Sequence, residues 1–378
     1  MFKRSDPLMP VSIYLATWNI LSRPPEEDLK PLLGLENVTN VNLLPDIYAI
    51  GLQEVKAAAY SILMDTILEN PWVKALRLTL APFNYVKIRM IRLQGMLLAV
   101  FIKRPHLMYV QELETEYTRT GVARVWGNKG AVSIRLNAFN CSICIVNCHL
   151  AAHDTELKRR VEDYNNIVDS QLFKYPQTEN IFFHDYVFWL GDMNFRLDSK
   201  PLNEIISKIE QKDYSVLLED DQLRQVRQSG EAFSELEEPP IDFAPTYKFV
   251  PGTHDYDIKY LNLKKKSKIN PKTNSNSNIS SRRPAWTDRI LHKVNADVYE
   301  DVTLDAQMKN YKAHNTYTQS DHKPVSALYS IKVFQSLPER YVQFAPIKRW
   351  NVGKQYQVTL FLRAGNQTQV WDWIGLYK

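Results

Sequence analysis

Cysteine is scarce in this chain. Three occur in 378 residues, Cys141, Cys144 and Cys148, close together in one stretch. In an extended strand Cys141 and Cys144 point to opposite faces, so they cannot share a tetrahedral ion. None has an arginine six residues on, which removes support for a cysteine-nucleophile phosphatase loop. They read as reduced packing residues. Long apolar runs are missing too. The longest, Gly95 to Ile102, falls far short of the roughly 20 residues a helix needs to cross a bilayer. The basic start, Phe2-Lys3-Arg4, has no apolar stretch behind it, so no signal peptide is expected and a reducing, cytoplasmic compartment is. Internal repeats are absent. Charge is nearly balanced, at +5 with a pI near 8.8. That balance suits an anionic partner without choosing among phosphate, membrane surface and nucleic acid.

What is present is a series of apolar runs that end in acids and amides. Ser12 to Ile20 reads as a strand ending in Thr17-Trp18-Asn19, and Pro45 to Glu54 as a strand ending in Gln53-Glu54. Ala57 to Leu68 has helical periodicity. Tyr85 to Arg104 reads as a strand pair turning near Gln94-Gly95. Gly130 to Leu136 and Cys141 to Leu150 read as a hairpin around Asn137 to Asn140. Thr155 to Leu172 is an amphipathic helix with Asp154 or Thr155 as its N-cap. Strands and helices that do not alternate strictly predict an α/β fold of two packed sheets flanked by helices, rather than a doubly wound sheet. This unit covers residues 11–333. Lys264 to Ser281, rich in Lys, Asn and Ser, is the clearest loop. Residues 337–378 change character to short β-like stretches, Tyr341 to Phe344, Gln355 to Arg363 and Gln369 to Tyr377. That is a second unit too small to bury a good core alone.

The chemistry concentrates at the strand ends. Tyr186 to Leu190 is apolar on both faces and delivers Gly191-Asp192-Met193-Asn194-Phe195-Arg196. Period-two spacing puts Asp192, Asn194 and Arg196 on one face. A helix cap would use one of them and would not need all three. An acid can order or deprotonate a water, an amide can hold it, and an arginine can bind a phosphate bidentately. Glu54 and Asn19 are oxygen donors of the kind Mg²⁺ takes, with Asp321 as a third. Glu54 at a helix start would by itself mean little. Asp288 can orient His322 and raise its basicity; the plain alternative is a turn before the strand Val325 to Val333. Gly127-Asn128-Lys129-Gly130 is either a hairpin turn or a place where backbone and Lys129 approach an anion, with Asn128 beside it. His149 ends the same kind of strand and is assigned to the phosphate side; His153 is a lesser candidate. Asp255-Tyr256-Asp257 follows no apolar strand, and His184-Asp185 stands without a partner cluster. Both are set aside.

The order of these motifs resembles the inositol polyphosphate 5-phosphatases, a branch of the exonuclease–endonuclease–phosphatase superfamily. Trp189 to Arg196 and Pro284 to Ile290 are similar to that family's two signature motifs. The resemblance implies a four-layer α/β/β/α sandwich, Mg²⁺ as cofactor and phosphoinositide headgroups at a membrane surface as partners. PtdIns(4,5)P₂, PtdIns(3,4,5)P₃ and soluble inositol polyphosphates are the implied substrates. Pro245-Thr246-Tyr247-Lys248 resembles the segment that contacts the 4-phosphate, which implies roles for Tyr247, Lys248 and Arg282. Family members carry a lysine where Ser280 stands here. The tail, through Asp372 to Lys378, resembles the opening of a SKICH domain. It implies the skeletal-muscle-and-kidney-enriched subgroup, an incomplete SKICH-like unit and a protein partner for it. Asp192 then activates the water and Asn194 positions it, while His322, Arg196 and His149 hold phosphate oxygens.

Two rivals belong to other classes. A nuclease of the same superfamily would suit the net charge. However, the cationic residues cluster beside Pro284 to Asp288 and Tyr247-Lys248 rather than along a groove, so nucleic acid is not the expected partner. A non-catalytic phosphoinositide-binding adaptor is opposed by intact polar groups at every motif.

Overall fold

A computed structural model of the chain describes residues 7–56, 69–121, 129–258, 282–335, 342–344 and 359–362. Eleven strands build two sheets. They are β1 (Leu8–Asn19), β2 (Ile47–Gln53), β3 (Tyr85–Leu93), β4 (Met96–Lys103), β5 (Val110–Arg119), β6 (Gly130–Ala138), β7 (Cys141–His149), β8 (Tyr186–Asp192), β9 (Asp288–Val294), β10 (Ala306–Ala313) and β11 (Val325–Phe334). One sheet has the order β10-β11-β1-β2-β4-β3 and the other β5-β6-β7-β8-β9. The helices are α1 (Pro71–Leu80), α2 (Leu157–Ser170), α3 (Leu202–Glu210), α4 (Tyr214–Leu218) and α5 (Gln222–Ser229).

Alternation along the strands explains the layering. On β1, Ile13 and Leu15 face one way and Tyr14, Ala16 and Trp18 the other. The first set joins Ile134, Ile145 and Phe188 in a core between the sheets. The second set packs under α1 through Trp72, Val73 and Leu76. On the far side Val146, Val187 and Trp189 lie under α2 and α5 through Tyr164, Ile167 and Leu223. Three cores mean four layers, an α/β/β/α sandwich. Cys141 faces the inner core and Cys144 and Cys148 the outer one, all buried and free.

α1 begins where Asn70 accepts a hydrogen bond from Trp72 N (3.0 Å) with Pro71 at the first helical position. α2 starts later than its sequence predicts. Glu156 holds the cap position without a side-chain bond, and neither Asp154 nor Thr155 caps. The cause is α2 itself. Arg160 donates to the carbonyls of Ala151 and His153, and Asp163 accepts from Ala151 N, which holds 151–153 outside the helix. The expected helix at 57–68, the loop at 264–281 with Ser280, and the stretch 369–377 fall outside the described residues. In the tail, strands β12 (Val342–Phe344) and β13 (Leu360–Leu362) pair antiparallel. No helix among the described residues is long and apolar enough to cross a membrane.

Candidate active site

The strand ends meet by register. Asn19 at the end of β1 lies opposite Gln53 at the end of β2. His149, ending β7, faces Asp192, ending β8, and Asp192 faces Asp288 at the start of β9. Gly191 makes this junction feasible. Its φ is 145°, and a Cβ there would lie 2.1 Å from Cys148 O.

The period-two argument holds through Asp192 and then stops. Asn194 turns into the left-handed region, with φ 57°, so the chain leaves the strand. Asn194 and Arg196 still reach the site, through that turn rather than through a shared strand face. Met193 N donates to Thr287 O (2.7 Å), which pins the turn to the second motif. The Asn194 amide is engaged at both ends: Nδ2 donates to Leu150 O (3.1 Å), and Oδ1 accepts from Arg196 Nη2. It acts on Arg196 before it acts on any water.

Asp192, 1% exposed, is the hub. One carboxylate oxygen, Oδ2, accepts from Asn19 Nδ2 (3.0 Å) and lies 3.2 Å from His149 Nε2 and 3.9 Å from His322 Nε2. Burial works against its charge, but His322 and His149 outweigh it and hold the carboxyl well below the usual range. Across from it, Asp288 takes His322 Nδ1 (2.9 Å), Thr246 Oγ1 (2.7 Å) and Thr287 Oγ1 (2.8 Å) on a single oxygen. Burial favours a neutral His322, yet Asp288 and Asp192 together push it up to about 10. His322 is therefore a proton-bearing donor at neutral pH. His149 is the opposite: burial and then the Lys129 charge bring it down, so it is neutral. Lys129 Nζ contacts His149 Nε2, and burial lowers the amine to about 8.

Arg196 is 2% exposed. Its Nε donates to Asn194 O, its guanidinium lies 4.5 Å from the Tyr247 ring centre, and Nη1 has no hydrogen-bond partner among the described residues. His149 Nδ1 is likewise unpartnered. Tyr247 also packs against His322 (4.3 Å between rings), and Arg282 Nη1 donates to its hydroxyl. Lys248 sits nearer the solvent, 3.7 Å from Asp257.

Two groups of residues are eligible for a metal. Asp192, Asp288 and His322 bring ligand atoms within 4.8 Å of one another. That set includes a nitrogen already directed at a carboxylate. The harder set is Asn19, Glu54 and the Asp192 edge. Asn19 Nδ2 bridges Glu54 Oε1 (3.1 Å) and Asp192 Oδ2 (3.0 Å), so two carboxylates converge on one neutral amide. The carboxylate oxygens of Asp192 and of the partly buried Glu54 fit a hard divalent cation that keeps waters, while Asn19 Oδ1 also accepts from Leu21 N (3.1 Å). Asp321 does not join them. Its carboxylate lies 4.0 Å from His322 Nε2. Its neighbour Ser320 reaches the second set, donating to Asn19 O (2.6 Å). Asn128 falls outside the described residues.

Sequence reasoning missed several contributors. Thr246 and Thr287 donate to Asp288, and Trp18 Nε1 donates to His322 O (3.1 Å), fixing the loop before β11. Thr287 sits inside a motif rich in other signals, and Thr246 is ordinary until folded. His184 and Asp185, set aside as partnerless, have structural partners instead: Arg135 for the first, and Ser142 and Tyr299 for the second.

The model of the endonuclease/exonuclease/phosphatase family 2 matches residues 16–328. Mouse inositol polyphosphate 5-phosphatase K is 35% identical over 97% of this chain and 76% of its own length. Mouse phosphatidylinositol 4,5-bisphosphate 5-phosphatase A is 35% identical over 99% of this chain, which spans only 36% of that relative. Among solved structures, the inositol polyphosphate 5-phosphatase domain of SPsynaptojanin, in complex with inositol (1,4)-bisphosphate and calcium ion, superposes with a TM-score of 0.69. It shares 31% identity and covers 87% of this chain and 86% of its own.

Proposed function

The chain belongs to the endonuclease/exonuclease/phosphatase family and, within it, to the inositol polyphosphate 5-phosphatases, and from that premise we propose how its site works. The reaction is hydrolysis of the 5-phosphate of phosphoinositides, with PtdIns(4,5)P₂ as principal substrate and PtdIns(3,4,5)P₃ or soluble inositol polyphosphates as others. The observation that carries this reading is the deficit around Arg196: a buried guanidinium nitrogen without an acceptor among the described residues, packed on the same Tyr247 ring as a protonated His322. A tetrahedral dianion supplies what both lack.

Water attacks phosphorus in line with the ester oxygen; the new P–O bond forms as the bond to the inositol oxygen breaks, and one proton of the water ends on that departing oxygen, giving the alcohol and hydrogen phosphate. Asp192, ionised throughout the neutral range, orients that water and accepts its hydrogen bond. Arg196 Nη1, His322 Nε2 and Lys129 hold phosphoryl oxygens, and His149 adds a neutral partner. Asn194 fixes Arg196. Asn19 and Glu54 would hold Mg²⁺, whose charge stabilises the leaving oxygen. Lys248, Arg282 and the Tyr247 hydroxyl read the neighbouring 4-phosphate. We assign the protein to the cytoplasm, peripheral at membranes. We also place residues 337–378 in a SKICH-like β unit, of the skeletal-muscle-and-kidney-enriched subgroup, with a protein partner. The pairing of β12 with β13 is compatible with that assignment.

The test compares phosphate release from short-chain PtdIns(4,5)P₂ with nicking of plasmid DNA, each with and without EDTA. Phosphate release abolished by EDTA, with the plasmid intact, is expected. Nicking without phosphate release would replace the reading with a nuclease. Phosphoinositide binding without turnover would replace it with an adaptor.

A further inference from the structure

The core between the sheets is apolar along most of its length, through Ile13, Val132, Ile145 and Phe188. Directly beneath the site it is not. Gln53 and Asn147 project into it from opposite sheets, each 0% exposed. Gln53 Nε2 donates to Asn147 Oδ1 (2.6 Å) and to Thr17 Oγ1 (3.0 Å). Asn147 Nδ2 donates to Leu52 O (3.2 Å) and Leu97 O (2.9 Å). Leu52 and Leu97 are the last residues at which β2 and β4 face each other. A side chain from β7 thus enters the hydrogen-bond ladder of the other sheet. Gly51 leaves the space: a Cβ there would lie 2.7 Å from Asn147 Oδ1.

The chain position of the two amides matters. Gln53 immediately precedes Glu54, and Asn147 stands two residues before His149 on the same strand face. Apolar side chains would hold the sheets together without directional constraint; here three of the four amide polar atoms have partners, and Gln53 Oε1 has none among the described residues. Hydrogen bonds across the interface fix the separation and register of the sheets, which apolar contact alone leaves soft. The site needs that constraint, because Asn19 and Glu54 stand on one sheet and His149 and Asp192 on the other. Displacements of about 1 Å between such groups cost on the order of a hundredfold in rate.

We propose that the Gln53–Asn147 pair, seated in the space left by Gly51, is a positioning element that sets the distance between the Glu54 and the His149–Asp192 halves of the site. The inference rests on the phosphatase reading and adds to it residues that touch neither substrate nor water. Its test uses Asn147→Leu and Gln53→Leu, with Leu136→Ala, in the same inter-sheet core but away from the site, as a control for general loosening. Three quantities are read on the full chain: kcat and KM on short-chain PtdIns(4,5)P₂, Mg²⁺ affinity by calorimetry without substrate, and the thermal midpoint. Both amide variants should lose about 10- to 100-fold in kcat with KM within about threefold, and should bind Mg²⁺ more weakly. Leu136→Ala should lower the midpoint and leave kcat and Mg²⁺ affinity alone. If Asn147→Leu does not fold, Gln53→Leu decides, since it removes two bonds and leaves both Asn147 donors in place. Retention of kcat within about threefold in the folded amide variants, an equal loss in Leu136→Ala, or failure of both amide variants to fold would each overturn the proposal. A wild-type protein that binds Mg²⁺ but releases no phosphate would overturn the phosphatase reading instead. The calorimetric arm would still report on the pair.

Discussion

Arg196 and Arg289 stand one motif apart and are almost equally buried, at 2% and 1% exposed. Their surroundings differ completely. Arg289 gives Nη1 to both oxygens of Asp221 (3.0 and 2.9 Å), and Nε and Nη2 to the two oxygens of Glu238 (2.5 and 2.6 Å). Burial alone would weaken its charge, but the two carboxylates raise its basicity well above the ordinary value. Arg196 has carbonyl and amide partners, an aromatic face and an empty Nη1. A buried cation closed by two acids holds a fold together; one left open is ready for an anion from outside. At the site His149 Nδ1 is open as well, whereas the clusters around Arg289, Arg135 and Asp46 pair their cations with carboxylates.

The sharpest way to break this contrast is at the hub. Asp192→Ala should lower kcat on the order of a thousandfold or more, while the variant keeps a cooperative unfolding transition. The acid orients the water, yet it is one of several charges in a site built to accept another. Survival of a tenth of the wild-type kcat would show that Asp192 does not touch the reacting water.

The complementary variant is Arg289→Met. It strands Asp221 and Glu238 in the interior, and breaking a buried pair from one side costs about 3–5 kcal/mol. Chemical denaturation should show that loss, with kcat of the folded fraction nearly unchanged. A stable Arg289→Met that loses turnover would reverse the roles assigned to the two arginines.

A smaller effect is expected at the rim. Lys248 is neither closed like Arg289 nor buried like Arg196; Asp257 lies 3.7 Å away. Charge-assisted contacts are worth about 1.5–3 kcal/mol. Lys248→Ala should therefore reduce kcat/KM for 4,5-bisphosphorylated substrates by roughly ten- to a hundredfold, and much less for a substrate without the 4-phosphate. Equal losses on both would place Lys248 on the scissile phosphate or in a structural role.

How far these roles were readable in the sequence depends on what each rests on. Acids and amides at the ends of buried strands are visible as Asn19, Glu54, His149 and Asp192, because a strand buried on both faces has only its end to offer. Two packed sheets flanked by helices follow from strands and helices that do not alternate strictly, and the four layers from the family resemblance. Strand β10 was invisible: of Ala306–Ala313 only Tyr311 is buried, so no alternation marks it. The shared face proposed for Asp192, Asn194 and Arg196 failed at a single positive φ, which no periodicity reports. The side-chain direction of Asp321, 4.0 Å from His322 Nε2, is likewise not legible in the sequence. Arg289 lies inside a recognisable motif, yet its partners Asp221 and Glu238 come from a helix cap and a loop far away in sequence, so saturation could not be read.

The last and smallest prediction concerns a closed cluster that must stay neutral at one member. Arg135 is buried against Glu112, Thr178 and His184. His184 Nδ1 lies 3.0 Å from Ile181 O and its Nε2 accepts from Arg135 Nε (3.4 Å), an arrangement that only the neutral ring with hydrogen on Nδ1 allows. Burial, with Arg135 adding to it, brings the histidine down to about 4. The folded value lies below the unfolded one of about 6.5, so falling pH puts protons on the unfolded chain first. The contribution of His184 to stability is complete above about pH 6.5 and is lost as pH falls toward 4. Between pH 7 and 5.5 the loss from this one residue is about 1 kcal/mol. Other groups titrate in the same window, among them Asp163, which burial raises to about 6, so the wild-type curve alone cannot isolate it. A His184→Gln variant can: its amide can donate to Ile181 O and accept from Arg135 without titrating. Denaturation midpoints across pH 7 to 5.5 should fall less steeply in the variant, by the equivalent of that ~1 kcal/mol. Parallel curves for the two proteins would mean that His184 takes up its proton in the folded state, and that the Arg135 cluster is as open to added charge as the site around Arg196.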